Sequence, residues 1–179
     1  MLNEINLEGL EAYKALITKT PAEAISAYGI SAKWQGGVKT QIHTHNQFVG
    51  TKEVIKNFTF DIDEPEELLG SNLNPTPQDY LLGGLAGCMM VGFVAEATAR
   101  NIKLESVALH IVGDLNLRGF LAVDEQASIG FKELKFNYEV KGSGTHTDYN
   151  EIIKKVQQYS PNYRTITDSV IITASEVKE

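Results

Sequence analysis

The sequence predicts an α+β fold, and three observations carry that prediction. Helical spacing of apolar residues gives way to strand alternation after residue 29; a long apolar helical segment follows residue 76; alternation returns after residue 102. The core order is therefore strands, a central helix, then strands again, with helices added at the front and near the end. At 179 residues, 42% of them apolar and 22% charged, the chain suits one ordinary globular domain with a proper core.

Leu2, Ile5, Leu7, Leu10, Tyr13 and Leu16 recur at three-to-four spacing, with Glu4, Glu8, Glu11 and Lys14 between them, which predicts an amphipathic helix over 2–16. Thr20-Pro21-Ala22-Glu23 supplies a cap, a proline at the first helical position and a glutamate at the third. That is the start of a second short helix, closed by Gly29. Residues 1–29 thus read as a helical extension and 30–179 as the α+β domain. Between Ile30 and Phe60 the pairs Ala32/Trp34 and Phe58/Phe60 alternate with polar residues, and Gly36-Gly37, Asn46 and Gly50 interrupt them, which predicts three strands. The five acids, proline and glycine of 61–74 predict an exposed connection.

Thr76-Pro77-Gln78-Asp79 repeats the cap, proline and acid signal, and the apolar run behind it reaches Arg100 before Asn101 breaks it. This helix is apolar nearly all round and carries Gly83, Gly84, Gly87 and Gly92, so it is expected to be sheathed on every side. One chain of this length has little material left for that, and a second copy is the economical cover: a homodimer is predicted. Strands are expected at 103–117, 131–141 and 169–174, and a helix at 149–159 through Ile152, Ile153 and Val156.

Composition also excludes functions. A net charge of -7, with 23 acids spread among 16 bases, leaves no basic stripe for a nucleic acid. The acidic start carries no secretory pattern, and the uncharged stretch 80–95 is short for a bilayer, so the chain is expected in the cytoplasm and off the membrane. His43 and His45 share a strand face without a third ligand, His110 and His146 stand alone, and no nucleotide fingerprint is present. Neither metal nor cofactor is expected.

Cys88 is the only cysteine. A lone thiol inside a cell is either a small buried hydrophobe or a reactive group, and both readings stand at this point. If reactive, it lies too far along its helix for the dipole to form the thiolate, so a cationic side chain is needed, and Arg118 and Lys39 are the first candidates to test.

The segment NPTPQDYLLGGLAGCMM, followed by the rest of its helix and then ESVALHIVGDL, resembles the central motif of the OsmC/Ohr family. Upstream, Ala32 to Gly37 resembles that family's first strand and turn; downstream, Ser160-Pro161-Asn162-Tyr163 falls where its second cysteine motif stands. The resemblance implies curved antiparallel sheets wrapped around central helices in an intertwined homodimer, and reduction of organic hydroperoxides by a cysteine on the central helix. Carried over, the peroxidatic cysteine is Cys88 and the resolving position holds Ser160; the family's glutamate is Gln78, or in other branches the acid Asp79; its activating arginine is matched by Val38, beside Lys39.

Two functions follow. One is a one-cysteine peroxidase: Cys88 attacks a small organic hydroperoxide, Arg118 or Lys39 stabilises the charges, Asp79 orients a cation, Gln78, Met89, Phe93 and Ser160 line an apolar site, and an external thiol restores the cysteine. The other is a non-catalytic dimer that keeps the apolar pocket for a small ligand. For Asp79 the plainer role is that of a helix cap.

Overall fold

Asn6 accepts a hydrogen bond from the amide of Gly9 at 3.0 Å and so caps the first helix, α1 (Leu7–Lys19). The structure is a computed structural model that describes residues 1–168 and 170–174. Its chain forms two units, Asn6–Gly83 and Met1–Ile5 together with Gly84 onward. The expected helix over 2–16 is therefore broken at Ile5, and Asn3 is the cause. Its backbone is left-handed (φ 47°), a conformation asparagine tolerates, and its side chain belongs to the second unit: Nδ2 donates to Thr98 Oγ1 (3.0 Å) and to the carbonyl of Ile102 (2.8 Å), while Oδ1 accepts from the amide of Leu104 (2.9 Å).

In the unit Asn6–Gly83, Pro21–Ala24 forms a 3-10 turn and not an α-helix. Glu23 does not return to its cap; its carboxylate accepts from the amide (3.1 Å) and hydroxyl (2.9 Å) of Thr51, and a Cβ on Gly50 (φ 58°) would collide with it. Six short strands follow: β1 (Ser26–Ala27), β2 (Ile30–Trp34), β3 (Thr40–Thr44), β4 (Gln47–Val49), β5 (Lys52–Val54) and β6 (Thr59–Ile62). They build two antiparallel sheets, β1-β4-β5 and β2-β3-β6. The extra strands escaped the period-two reading because β4 and β5 hold three residues each, too few to show alternation. Register puts Ala32 and Phe60 beside Ile42, the buried centre of the second sheet, and the Tyr80 ring packs tilted against Phe60 at 4.7 Å. The connection 61–74 is less exposed than its acids suggest, because Asp63 is fully buried and organises it.

The central helix, α2 (Pro77–Ala99), starts as expected: Thr76 and Asp79 exchange hydrogen bonds as a capping box. It is long and apolar enough to cross a bilayer, but Leu85, Met89, Phe93, Ala97 and Thr98 are buried within the second unit. The expectation of cover on every side is not met within one chain, since Val91 on the opposite face is 71% exposed.

Beyond α2 the second unit holds β7 (Leu104–Val112), α3 (Leu117–Phe120), β8 (Lys135–Gly142), α4 (His146–Tyr159) and α5 (Pro161–Thr167). β7 and β8 pair antiparallel, and Phe136, Tyr138 and Val140 point from β8 into a core shared with Leu85, Met89, Phe93, Ala97, Ile152 and Val156. Phe93 lies flat on Tyr138 at 4.7 Å. Burial of such an aromatic contributes about 2–3 kcal/mol. β7 stops before the expected Leu117 because Asn116 caps α3, and α4 begins ahead of the expected Tyr149 because Thr145 and Asp148 form a second capping box. α5 was not foreseen. Of the strand expected at 169–174, Ser169 lies outside the described residues and 170–174 are not in a strand.

Candidate functional site

Cys88 lies on α2 between the buried core positions Leu85 and Met89, and it is a half-buried residue with a free thiol. The chain returns to it at the corner between α4 and α5. There Ser160 closes one helix and opens the next: its amide donates to the carbonyl of Val156 (2.8 Å), and its Oγ accepts from the amide of Tyr163 (3.4 Å). The single hydroxyl proton is left over, and it is donated to Cys88 Sγ at 3.2 Å. Ser160 is 4% exposed, so this bond is made away from bulk water.

Asn162 ties the same corner to the same turn of α2. Its Nδ2 donates to the carbonyl of Gly84 at 2.8 Å, and in α-helical geometry that carbonyl is also the acceptor for the amide of Cys88. Gln157 Nε2 donates to Tyr163 Oη (3.1 Å), bracing α5 against α4. Sequence reasoning missed Asn162 and α5. Ser160-Pro161 is a cap followed by a proline at the first helical position, the signal read correctly at Thr76-Pro77, but no acid stands at the third position to complete it.

Two turns beyond Cys88, Glu96 gathers the nearby cations of α2 and α4. It accepts from Arg100 Nε (3.0 Å) and Lys155 Nζ (3.0 Å), and Arg100 also meets Glu151 at 2.7 Å. Burial works against the charge of Glu96, but the bonds from Lys155 and Arg100 outweigh it and hold its carboxyl below the usual range. These cations are satisfied where they stand.

The other residues singled out in the sequence are placed as follows. Met89 and Phe93 are fully buried in the core of the second unit. Arg118 projects from α3 with its side chain 67% exposed and pairs with Asp124 at 3.0 Å. Lys39, in the first unit, closes the Gly36-Gly37 turn, its amide donating to the carbonyl of Gly36 (3.1 Å). Gln78 is half-buried in the first turn of α2, and Asp79 is exposed and engaged with Thr76. Cys88 and Ser160 are the pair that the fold brings together. His43 bonds Gln41 and His45 bonds Ser31, and no group of three or more potential metal ligands occurs among the described residues.

The chain matches the family model described as OsmC-like protein over residues 70–175, more than half its length. It belongs to the OsmC-like family. The solved structures that this OsmC-like chain is similar to include an OsmC-like protein from Mycoplasma pneumoniae, at 18% identity over 79% of this chain and 87% of that one, with a TM-score of 0.62. An OsmC-like protein of unknown function from Vibrio cholerae is 12% identical over 79% and 94%, TM-score 0.61. An organic hydroperoxide resistance protein from Legionella pneumophila is 20% identical over 78% and 88%, TM-score 0.52. At these identities the likeness is one of fold. No curated protein matches the chain.

Proposed function

We propose that this OsmC-like chain is a one-cysteine, thiol-dependent reductase of small organic hydroperoxides, working as a cytoplasmic homodimer. The observation that carries the reading is Cys88, half-buried and free, with a hydroxyl donor on its sulfur, at the position that the sequence resemblance makes the reactive one. A single free thiol also suits a reducing compartment.

In this reading the Cys88 thiolate attacks the terminal peroxide oxygen. The O–O bond breaks, the alkoxide leaves and takes up a proton to give the alcohol, and the cysteine becomes a sulfenic acid. The leaving oxygen needs a positive partner, and Lys39 and Arg118 are the candidates, with Asp79 to orient a cation and Gln78 to bond the substrate. With Ser160 where a second thiol would stand, an external thiol attacks the oxidised sulfur, expels water and forms a mixed disulfide. A second external thiol breaks that bond and releases Cys88.

The test is turnover of cumene hydroperoxide supported by dithiothreitol, wild type against Cys88→Ser. The variant is expected to fall to the uncatalysed rate. Equal rates in the two proteins would remove the peroxidase reading and leave a dimer that binds a small apolar ligand without chemistry.

A further inference from the structure

The Ser160 hydroxyl has one proton and one direction in which to send it. Its oxygen accepts from the amide of Tyr163 (3.4 Å), its own amide is fixed to Val156 (2.8 Å), and Pro161 stiffens the backbone on its far side. Its neighbour Asn162 holds the carbonyl of Gly84, the one that the Cys88 amide uses. The corner is thus built onto the cysteine's own helical turn by two independent side chains, and the 3.2 Å contact to Sγ is not a chance approach of a surface serine, since Ser160 is 4% exposed.

We propose that Ser160 is a positioning residue for Cys88: its hydroxyl orients the sulfur, stabilises its negative form through a charge-assisted hydrogen bond, and leaves the oxidised sulfur to a thiol from outside. A hydrogen bond to an ionised group is about twice as strong as one between neutral groups, and low solvent access preserves that advantage. Serine itself has no redox exchange with a sulfenic acid. The bond therefore serves the attack step and the holding of the sulfur, and the resolving step passes to a free thiol. This inference rests on the assignment of Cys88 as nucleophile.

Two measurements separate it from that assignment: the rate at which iodoacetamide alkylates Cys88, and hydroperoxide turnover, each in wild type, Ser160→Ala, Ser160→Thr and Ser160→Asp. Loss of the donor in Ser160→Ala is expected to slow both about tenfold or more. Ser160→Thr keeps the hydroxyl and is expected to stay within about threefold of wild type. Ser160→Asp keeps an acceptor for the Tyr163 amide, and hence the helix cap, but has no proton to give; it is expected to alkylate about tenfold or more slowly than wild type, a comparison that does not depend on whether Ser160→Ala folds. Alkylation at the wild-type rate in folded Ser160→Ala or Ser160→Asp overturns the proposal. If wild type does not reduce the hydroperoxide but these variants still slow alkylation, the positioning role stands and the peroxidase reading falls.

Discussion

Tyr138 carries the buried side-chain polar atom that finds no hydrogen-bond partner among the described residues. Its ring is well used, flat on Phe93 at 4.7 Å, but its hydroxyl is not, and burial pushes the phenol up to about 12. An unpaired buried hydroxyl costs its desolvation without return. Tyr138→Phe is therefore expected to leave stability unchanged or raise it by up to about 1 kcal/mol in urea unfolding at neutral pH. The alkaline behaviour should change as well. The folded value lies above the ordinary tyrosine value of about 10, so the contribution is full below that pH and is lost as pH rises through about 12. The variant should lack that loss, and unfolding midpoints at pH 7 and above pH 11 check both points. A clear destabilisation at neutral pH would mean that the hydroxyl is bonded after all.

Asp63 shows how one buried carboxylate makes an element out of a connection. It accepts from the hydroxyl of Ser71 (2.6 Å) and from the amides of Glu64 (2.9 Å), Ser71 (3.2 Å) and Leu73 (3.3 Å). Led by the Ser71 hydroxyl, these bonds hold its carboxyl far below the usual range, while burial, then the charges of Asp63 and Asp79, raise Glu64 beside it. A depressed folded value gives stability that is present above the unfolded value of about 4 and lost as pH falls toward the folded one. Asp63→Asn should thus lower the melting temperature at pH 7 and differ less from wild type at pH 2; an equal deficit at both would exclude the carboxylate charge as the cause. The sequence carried no warning of this loop, because five acids in a connecting segment look the same whether they face water or satisfy a turn. α2 was legible because cap, proline, acid and apolar run agree, and the fold class followed from it. Of the site, Cys88 was legible as the lone thiol and Ser160 as a position, but their contact joins residues 72 apart in sequence, and no local period encodes that.

For the molecule as a whole, the unfinished business is apolar surface. On α2, Gly83, Gly87 and Val91 follow one another at i, i+4 spacing; a Cβ on either glycine would meet nothing within 4 Å, and Val91 is 71% exposed. In the first unit, Ile30 and Trp34 on β2 and Phe58 stand more than half exposed. Scattered apolar residues are ordinary on a surface, but a glycine-flattened helical face ending in valine is shaped for another backbone. A twofold dimer would use that face on both copies at once, α2 against α2, with the small residues allowing close approach. The protein is accordingly expected to sediment at twice its chain mass of 19.7 kDa. Val91→Asp places two like charges across such an axis in a desolvated position, so it should raise the dimer dissociation constant by at least about a hundredfold. Val91 has no part in the core of its own unit, and the variant monomer should keep its helical circular dichroism. A Val91→Asp protein that remains dimeric at wild-type affinity would move the interface off this face and return the exposed side of α2 to solvent.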